Sequence, residues 1–380
     1  MNVLYHHRTK SRDGQAVHIR ELIAALRLRG HHVEEWALSR GDSGAMGSEG
    51  GLAGRLAARA PRVCYELAEH AYGPMVAPRL VAAGRRCQAE VLYERHALNN
   101  SAGLRAAARL GIPHLLEVNS PLTRERAGYE TLVLQGWAAR CERRVLAAAD
   151  RLLVVTDVLR DILLQDGLEA RRVVVIPNGA DMSLYAERVP RQHEELVVGF
   201  TGFFRPWHGL EGLVDALADG ALPPGARLLL VGDGPSRADL EARAASRGVS
   251  ERVRITGSVE RQAIPELVRS MDVCVQPAAT PWASPLKLFE YMAAGRAIVA
   301  PDQPNLREVL GHERDALLFD PGDPRAMSAA VVRLGRDAAL REALGAAARQ
   351  RVLDAPFTWD ANARRVEDLV AECRAERGLV

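Results

Sequence analysis

The chain has 380 residues, is 48% hydrophobic and 26% charged, and carries a formal net charge of +2. That length suits two ordinary domains of a soluble globular protein, and the charge balance excludes the basic excess of a nucleic-acid binder. No apolar run reaches bilayer-spanning length, "MNVLYHHRTK" does not read as a signal peptide, and five scattered cysteines without metal-ligand spacing lead us to expect a reducing cytoplasm.

Strands and helices alternate along the chain. "NVLYHH" is a short apolar strand followed by a polar turn at Asp13–Gly14. A helix with Ile19, Leu22, Ile23 and Leu26 on one face follows and stops near Gly30. "HVEEWAL" starts the next strand. The segment 40–60, "RGDSGAMGSEGGLAGRLAARA", is Gly/Ser-rich and then basic. It reads either as a surface loop leading to a solvated helix or as an acceptor-side lid or membrane-surface contact. "AEVLYER", "PHLLEVN", "DRLLVVT" and "RRVVVIPNG" are later strands. Several are apolar on both faces, as in a parallel sheet buried between helix layers.

A second series begins at "ELVVGFTG" and runs through "ARLLLVGDG", "RVRITG", "VCVQPA", "AIVAPD" and "ALLFDP". The join lies in the polar stretch 186–195. "FTWDANARRVEDLVAECRAE" ends the chain as an amphipathic helix. Two βαβ series predict an α/β protein with two Rossmann-like, doubly wound domains. Ligands of such folds bind beyond the carboxyl ends of the strands.

Three motifs follow strands. "GFTGFFRPWHG" (199–209) places Gly202, Arg205 and His208 at a helix start, which serves either as a structural turn or as an anion site. "VGDGP" (231–235) places Gly232 where backbone can approach closely. "ASPLKLFEYMAAGRAIVAPD" (283–302) carries Lys287 and Glu290 one turn apart. Of 50 Lys and Arg residues, only Lys10 and Lys287 are lysines. A Lys–Glu pair at this spacing is a surface ion pair or, in so apolar a helix, two buried charges that need partners.

The ordered set "IPNGAD" (176–181), "TGFFRPWHG", "VGDGP" and "SPLKLFEYMAAGRAIVAPD" resembles the retaining GT-B glycosyltransferases of family four. "DGQAVHIRELIAALRLRGHHV", "YERHALNNSAGLRAAARLGIPHLLEVNSPL" and the terminal helix extend the resemblance over nearly the whole chain. It implies an acceptor-binding domain over 1–188 completed by a helix over 358–380, a nucleotide-sugar-binding domain over 189–357, and a cleft between them. It implies that Arg205 and Lys287 bind the donor diphosphate and that His208 is a second basic residue. Glu290 would hold the ribose hydroxyls, and the backbone of Ala283, Ser284, Pro285 and Leu286 would cradle sugar and phosphate. Gly257 and Val259 would lie near the base, with Gly202 and Gly232 in the phosphate turns. Gly14 and Gln15 would close from the other domain. His18 fits the first helix, either as a structural residue or as a catalytic one. Two positions depart from the family. The first glutamate of its E-x7-E motif is Trp282, and its active-site histidine is Asn119, which can bond a sugar hydroxyl but cannot act as a base. Glu94, Glu117 and Glu125 are the acceptor-side carboxylates.

Breaking a glycosyl–phosphate bond adds negative charge to a diphosphate. The chain has no D-x-D metal motif, so a helix N-terminus (roughly half a positive charge), Arg205 and Lys287 must supply the stabilisation. The expected activity is therefore transfer of a hexose-type sugar from a UDP- or GDP-sugar to a glycan, lipid-linked or small-molecule hydroxyl. The expectation is retention of configuration with no metal and no other cofactor, in the cytoplasm or at the inner membrane face. A silent nucleotide-sugar-binding subunit, an epimerase and a phosphorylase are the alternatives.

Overall fold

Each of the apolar runs identified above forms a parallel strand in the structure, a computed structural model that describes residues 1–9, 14–37, 61–129, 131–186 and 195–379. The segment 40–60 and Asp13 lie outside the described residues. The first sheet contains β1 (Asn2–His7), β2 (His32–Ala37), β3 (Val91–Arg95), β4 (His114–Val118), β5 (Arg151–Val154) and β6 (Val173–Val175), in the order β2-β1-β3-β4-β5-β6. The second contains β7 (Val197–Thr201), β8 (Arg227–Val231), β9 (Val253–Ile255), β10 (Val273–Val275), β11 (Ala297–Pro301) and β12 (Leu317–Phe319), in the order β12-β11-β10-β7-β8-β9. The second sheet thus has the Rossmann strand order, and its order reverses between β7 and β10.

Both faces of the second sheet are covered, which explains its unbroken apolar strands. Along β8, Leu228 and Leu230 enter one core cluster with Phe200, Val273 and Val299. Leu229 and Val231 enter another with Cys274, Leu288, Tyr291 and Ile298. The period of two therefore divides one apolar run between two helix layers.

The compact units are Met1–Pro177 with Asp360–Val380, and Asn178–Trp359. The sequence placed the junctions at 188/189 and 357/358. The first moves upstream because the chain after Pro177 already packs on the second unit. Asn178 Nδ2 donates to the Ser284 carbonyl at 2.6 Å, Ala180 N donates to the Phe357 carbonyl at 3.0 Å, and Tyr185 is buried in the second core.

The terminal helix Trp359–Glu376 returns to the first unit, where ion pairs hold it. Arg29 Nε and Nη2 donate to the two Glu367 oxygens at 2.6 and 2.8 Å. His31 Nε2 lies 2.5 Å from the same carboxylate. Arg151 Nη2 reaches Glu376 at 2.6 Å and Arg377 Nη2 reaches Asp150 at 2.7 Å.

The Arg29 hydrogen bonds, with His31 adding to them, hold the Glu367 carboxyl down at about 2. A depressed carboxylate contributes stability above its unfolded value and loses it as pH falls through its folded value. Glu367→Gln should lower stability by about 1 kcal/mol near neutral pH. The variant and the parent should converge as pH falls from about 4 to about 2. Urea unfolding across that range checks it, and a gap that persists at the acid end contradicts it.

Candidate active site

The loops leaving β7 and β8 are laced together. Gly202 N donates to the Val231 carbonyl at 2.9 Å, and Phe204 N to the Asp233 carbonyl at 2.8 Å. Gly202 and Gly232 have φ of 135° and 132°, values that L side chains rarely adopt. A Cβ on Gly232 would sit 2.0 Å from the Gly202 carbonyl oxygen. The close approach that Gly232 permits is to the neighbouring loop. Gly257 continues the arrangement by bridging Gly232 through the backbone. Val259 is half-buried against the core.

This scaffold sets two cations at the point where the strand order reverses. Arg205 follows β7, and Lys287 follows β10 in the helix Leu286–Ala293. That helix buries Leu288, Phe289, Tyr291 and Met292. Thr201 N donates to Tyr291 Oη at 2.8 Å, tying the helix to the end of β7. Lys287 Nζ consequently rests 4.0 Å from the ring centroid of buried Phe200. The Arg205 guanidinium lies 5.1 Å from the Phe203 ring and 4.9 Å from the Trp207 ring. Among the described residues, neither cation has a carboxylate within ion-pair distance.

Burial lowers the Lys287 ammonium to about 7, offset only in part by the charge of Glu290. Glu290 is itself ion-paired with Arg261. Burial, followed by the charges of Lys287 and Arg205, takes His208 down to about 3. The residue expected as a second base is therefore a neutral imidazole near neutral pH, and its Nδ1 accepts from Arg205 N at 3.4 Å.

The loop before Lys287 is pinned through its carbonyls. Asn178 holds that of Ser284 at 2.6 Å, and Asn305 Nδ2 holds that of Ala283 at 2.7 Å. Pro285 then opens the helix, and no side chain caps it. The backbone of Ala283, Ser284, Pro285 and Leu286 is thus fixed beside a helix N-terminus open to an anion.

Two family profiles match the chain. "Glycosyltransferase Family 4" covers residues 12–184, and "Glycosyl transferases group 1" covers residues 195–337. The chain belongs to the family 4 glycosyltransferases. A D-inositol 3-phosphate glycosyltransferase of Xylanimonas cellulosilytica is 27% identical over 309 residues, spanning 76% of this chain and 73% of the relative. An MMP alpha-(1->4)-mannosyltransferase of Mycolicibacterium hassiacum is 26% identical over 291 residues, 73% of this chain and 69% of the relative. Among solved structures, the sucrose-phosphate synthase of Thermosynechococcus elongatus superposes with a TM-score of 0.72 at 20% identity, over 99% of this chain and 100% of that one. Anabaena HepE in complex with UDP-glucose superposes at 0.72 and 17% identity, over 98% and 100%. These likenesses are to the GT-B fold.

In this glycosyltransferase the residues expected on the acceptor side lie in the first unit. Glu94 is buried, with His6 Nδ1 at 2.7 Å, His114 Nε2 at 2.9 Å and Asn100 Nδ2 at 2.9 Å. Glu117 is also buried. It takes hydrogen bonds from Tyr93 Oη at 2.9 Å, from Asn119 Nδ2 at 2.5 Å and from Arg95, with His18 Nε2 at 3.1 Å. Burial would raise both carboxyls. The His114 and His6 bonds to Glu94, and the charges of His18 and Arg95 beside Glu117, hold them well below the usual range. Both are therefore held by partners inside the first unit. Asn119, at the end of β4, is half-buried with its amide N–H turned to Glu117. His18 is buried in the helix Gly14–Leu28. Glu125 is half-buried in the first turn of the helix Leu122–Tyr129, and Gly14 and Gln15 are exposed at the start of Gly14–Leu28.

Sequence reasoning missed the aromatic seats, the Arg261–Glu290 pair, and the asparagines that pin the loop before Lys287. The first had a visible signal. Phe200, Phe203 and Phe204 are three of only six phenylalanines, and Trp207 is beside them.

Gly232→Ala should destabilise the protein by about 2–3 kcal/mol through backbone strain and the Gly202 clash. Chemical denaturation measures this, and a loss below about 0.5 kcal/mol contradicts the interlock. Lys287→Met should stabilise. Between about 7 and about 10 the unfolded lysine holds a proton that the folded one releases, so folding strains the charged form below that window. We expect a gain of about 1–2 kcal/mol near pH 6 that shrinks as pH rises. A destabilised Met variant contradicts this.

Proposed function

We propose that this glycosyltransferase moves a hexose-type sugar from a UDP- or GDP-sugar to an acceptor hydroxyl, with retention at the anomeric carbon and without a metal. The observation that carries the reading is the pair of cations, Lys287 and Arg205, set at the β7/β10 reversal with neither ion-paired to a carboxylate among the described residues. A diphosphate there would restore full charge to Lys287, bond to Arg205 and meet the open N-terminus of Leu286–Ala293. The ribose hydroxyls would donate to Glu290 beside Arg261. The solved complex of HepE with UDP-glucose supports a nucleotide-sugar donor.

In the step proposed, the anomeric carbon–phosphate oxygen bond breaks as the acceptor oxygen bonds to the same face of that carbon. The acceptor proton passes to the departing diphosphate oxygen. No enzymic nucleophile is required, which agrees with an asparagine at position 119. Ammonium and guanidinium meet the developing charge without reorganising, and losing one such group costs on the order of 3 kcal/mol. The relatives that act on D-inositol 3-phosphate and on 2-deoxystreptamine favour a small polyol as acceptor.

Lys287→Met should lower kcat by roughly a hundredfold while unfolding at or above the parental midpoint. Radiolabelled UDP- and GDP-sugars with polyol and lipid-linked acceptors provide the assay, with chelator present throughout. Donor affinity should weaken as pH rises past about 7, because the neutral amine gives up its charge. Turnover that needs a divalent cation, or a Met variant of normal rate, overturns the mechanism.

A further inference from the structure

The helix Arg62–Arg86 has its charges arranged inside out. Its two acidic residues, Glu66 and Glu69, are buried. Glu66 accepts from the backbone N–H groups of Val133 and Leu134 at 2.8 and 2.6 Å. Glu69 accepts from Arg126 at 2.8 Å and from Asn99 at 2.9 Å. The water-facing side instead carries Leu67, Ala71, Pro74, Met75 and Pro78. Met75 is 70% exposed and Leu67 44%.

The apolar surface continues onto the neighbouring helix Gln135–Ala148, joined to the first by the Glu66 bonds and by the His70 ring stacked 4.2 Å from Trp137. Val133 and Trp137 are 53% and 49% exposed. The single acid of that helix, Glu142, also turns inward, to His96 at 3.3 Å. Every exposed charge on the two helices is an arginine. Among the described residues, Arg79, Arg140, Arg143 and Arg144 have no carboxylate partner.

An exposed apolar patch marks an interaction site, and its charge selects the occupant. A second copy of the chain would set arginine against arginine across a two-fold axis. A nucleic acid would leave Met75 and Leu67 without apolar partners. A bilayer surface accommodates both, with aromatic rings at the interface, apolar side chains at the acyl boundary and arginines at anionic headgroups.

We propose that the face formed by Arg62–Arg86 and Gln135–Ala148 seats this enzyme on an anionic lipid bilayer. It lies outside the donor site and is read by binding alone, so its failure leaves the proposed reaction untouched. The test is co-sedimentation of the full chain with mixed phosphatidylglycerol–phosphatidylcholine vesicles, with pure phosphatidylcholine vesicles as the control. The chain should bind the anionic vesicles preferentially and release with salt. Each arginine near such a surface is worth roughly fivefold, so Arg140→Glu with Arg144→Glu should weaken binding more than tenfold. Leu67→Ser with Met75→Ser should weaken it comparably. All four positions are exposed, and thermal unfolding confirms that the variants fold. Absence of anionic-selective binding, equal binding by the variants, self-association through this face, or a preference for RNA or duplex DNA over vesicles overturns the proposal.

Discussion

A positive charge kept clear of carboxylates has to be held by something else. In the second unit that role falls to aromatic rings, with Phe200 under Lys287 and Phe203 and Trp207 around Arg205. A ring face attracts a cation by about 0.5–2 kcal/mol without neutralising it. A carboxylate in the same place would hold the cation more firmly and cancel the field a diphosphate needs. The surrounding structure follows from that choice. Gly202 leaves room beside the ammonium, Tyr291 fixes the helix that carries it, and the interlocked loops keep Arg205 at the end of β7.

The same crowding accounts for a lysine in a chain that otherwise favours arginine. A Cβ on Gly202 would come within 2.8 Å of Nζ, so the space admits a compact ammonium but leaves little for a planar guanidinium. Glu290, one turn away, is kept from neutralising the lysine by its pairing with Arg261. The pair expected from an i, i+3 spacing is thus divided, one charge turned to an aromatic face and the other to a third residue from a distant loop.

All twelve strands were legible because each is a short apolar run bounded by turn residues. In a sheet covered on both faces that pattern is hard to mistake, and Leu228 to Val231 show why it is continuous rather than alternating. The three motifs after β7, β8 and β10 were legible as structure for a related reason, since strand, glycine turn and helix start are local features. The acceptor-side carboxylates were not. Nothing in "YERH" or "LLEVN" shows that Glu94 is enclosed by His6 and His114, or that Glu117 gathers donors from β3 and from the helix Gly14–Leu28 as well as from Asn119. Apart from Asn119, those partners lie twenty or more residues away in sequence. The unit boundary was misplaced for the same reason, because the Asn178–Ser284 contact spans 106 residues.

The return of the terminal helix to the first unit has a consequence for how the chain matures. The second unit is one uninterrupted stretch, Asn178–Trp359, and all of it has been synthesised before that helix is complete. The first unit is assembled from two stretches on either side of the second, Met1–Pro177 and Asp360–Val380. Arg29, His31 and Arg151 therefore wait for partners made only after the whole of the second unit. A chain cut near Pro356 would retain every strand described for both sheets yet lack the clasp on the first, so the first unit is completed only after the second has been made.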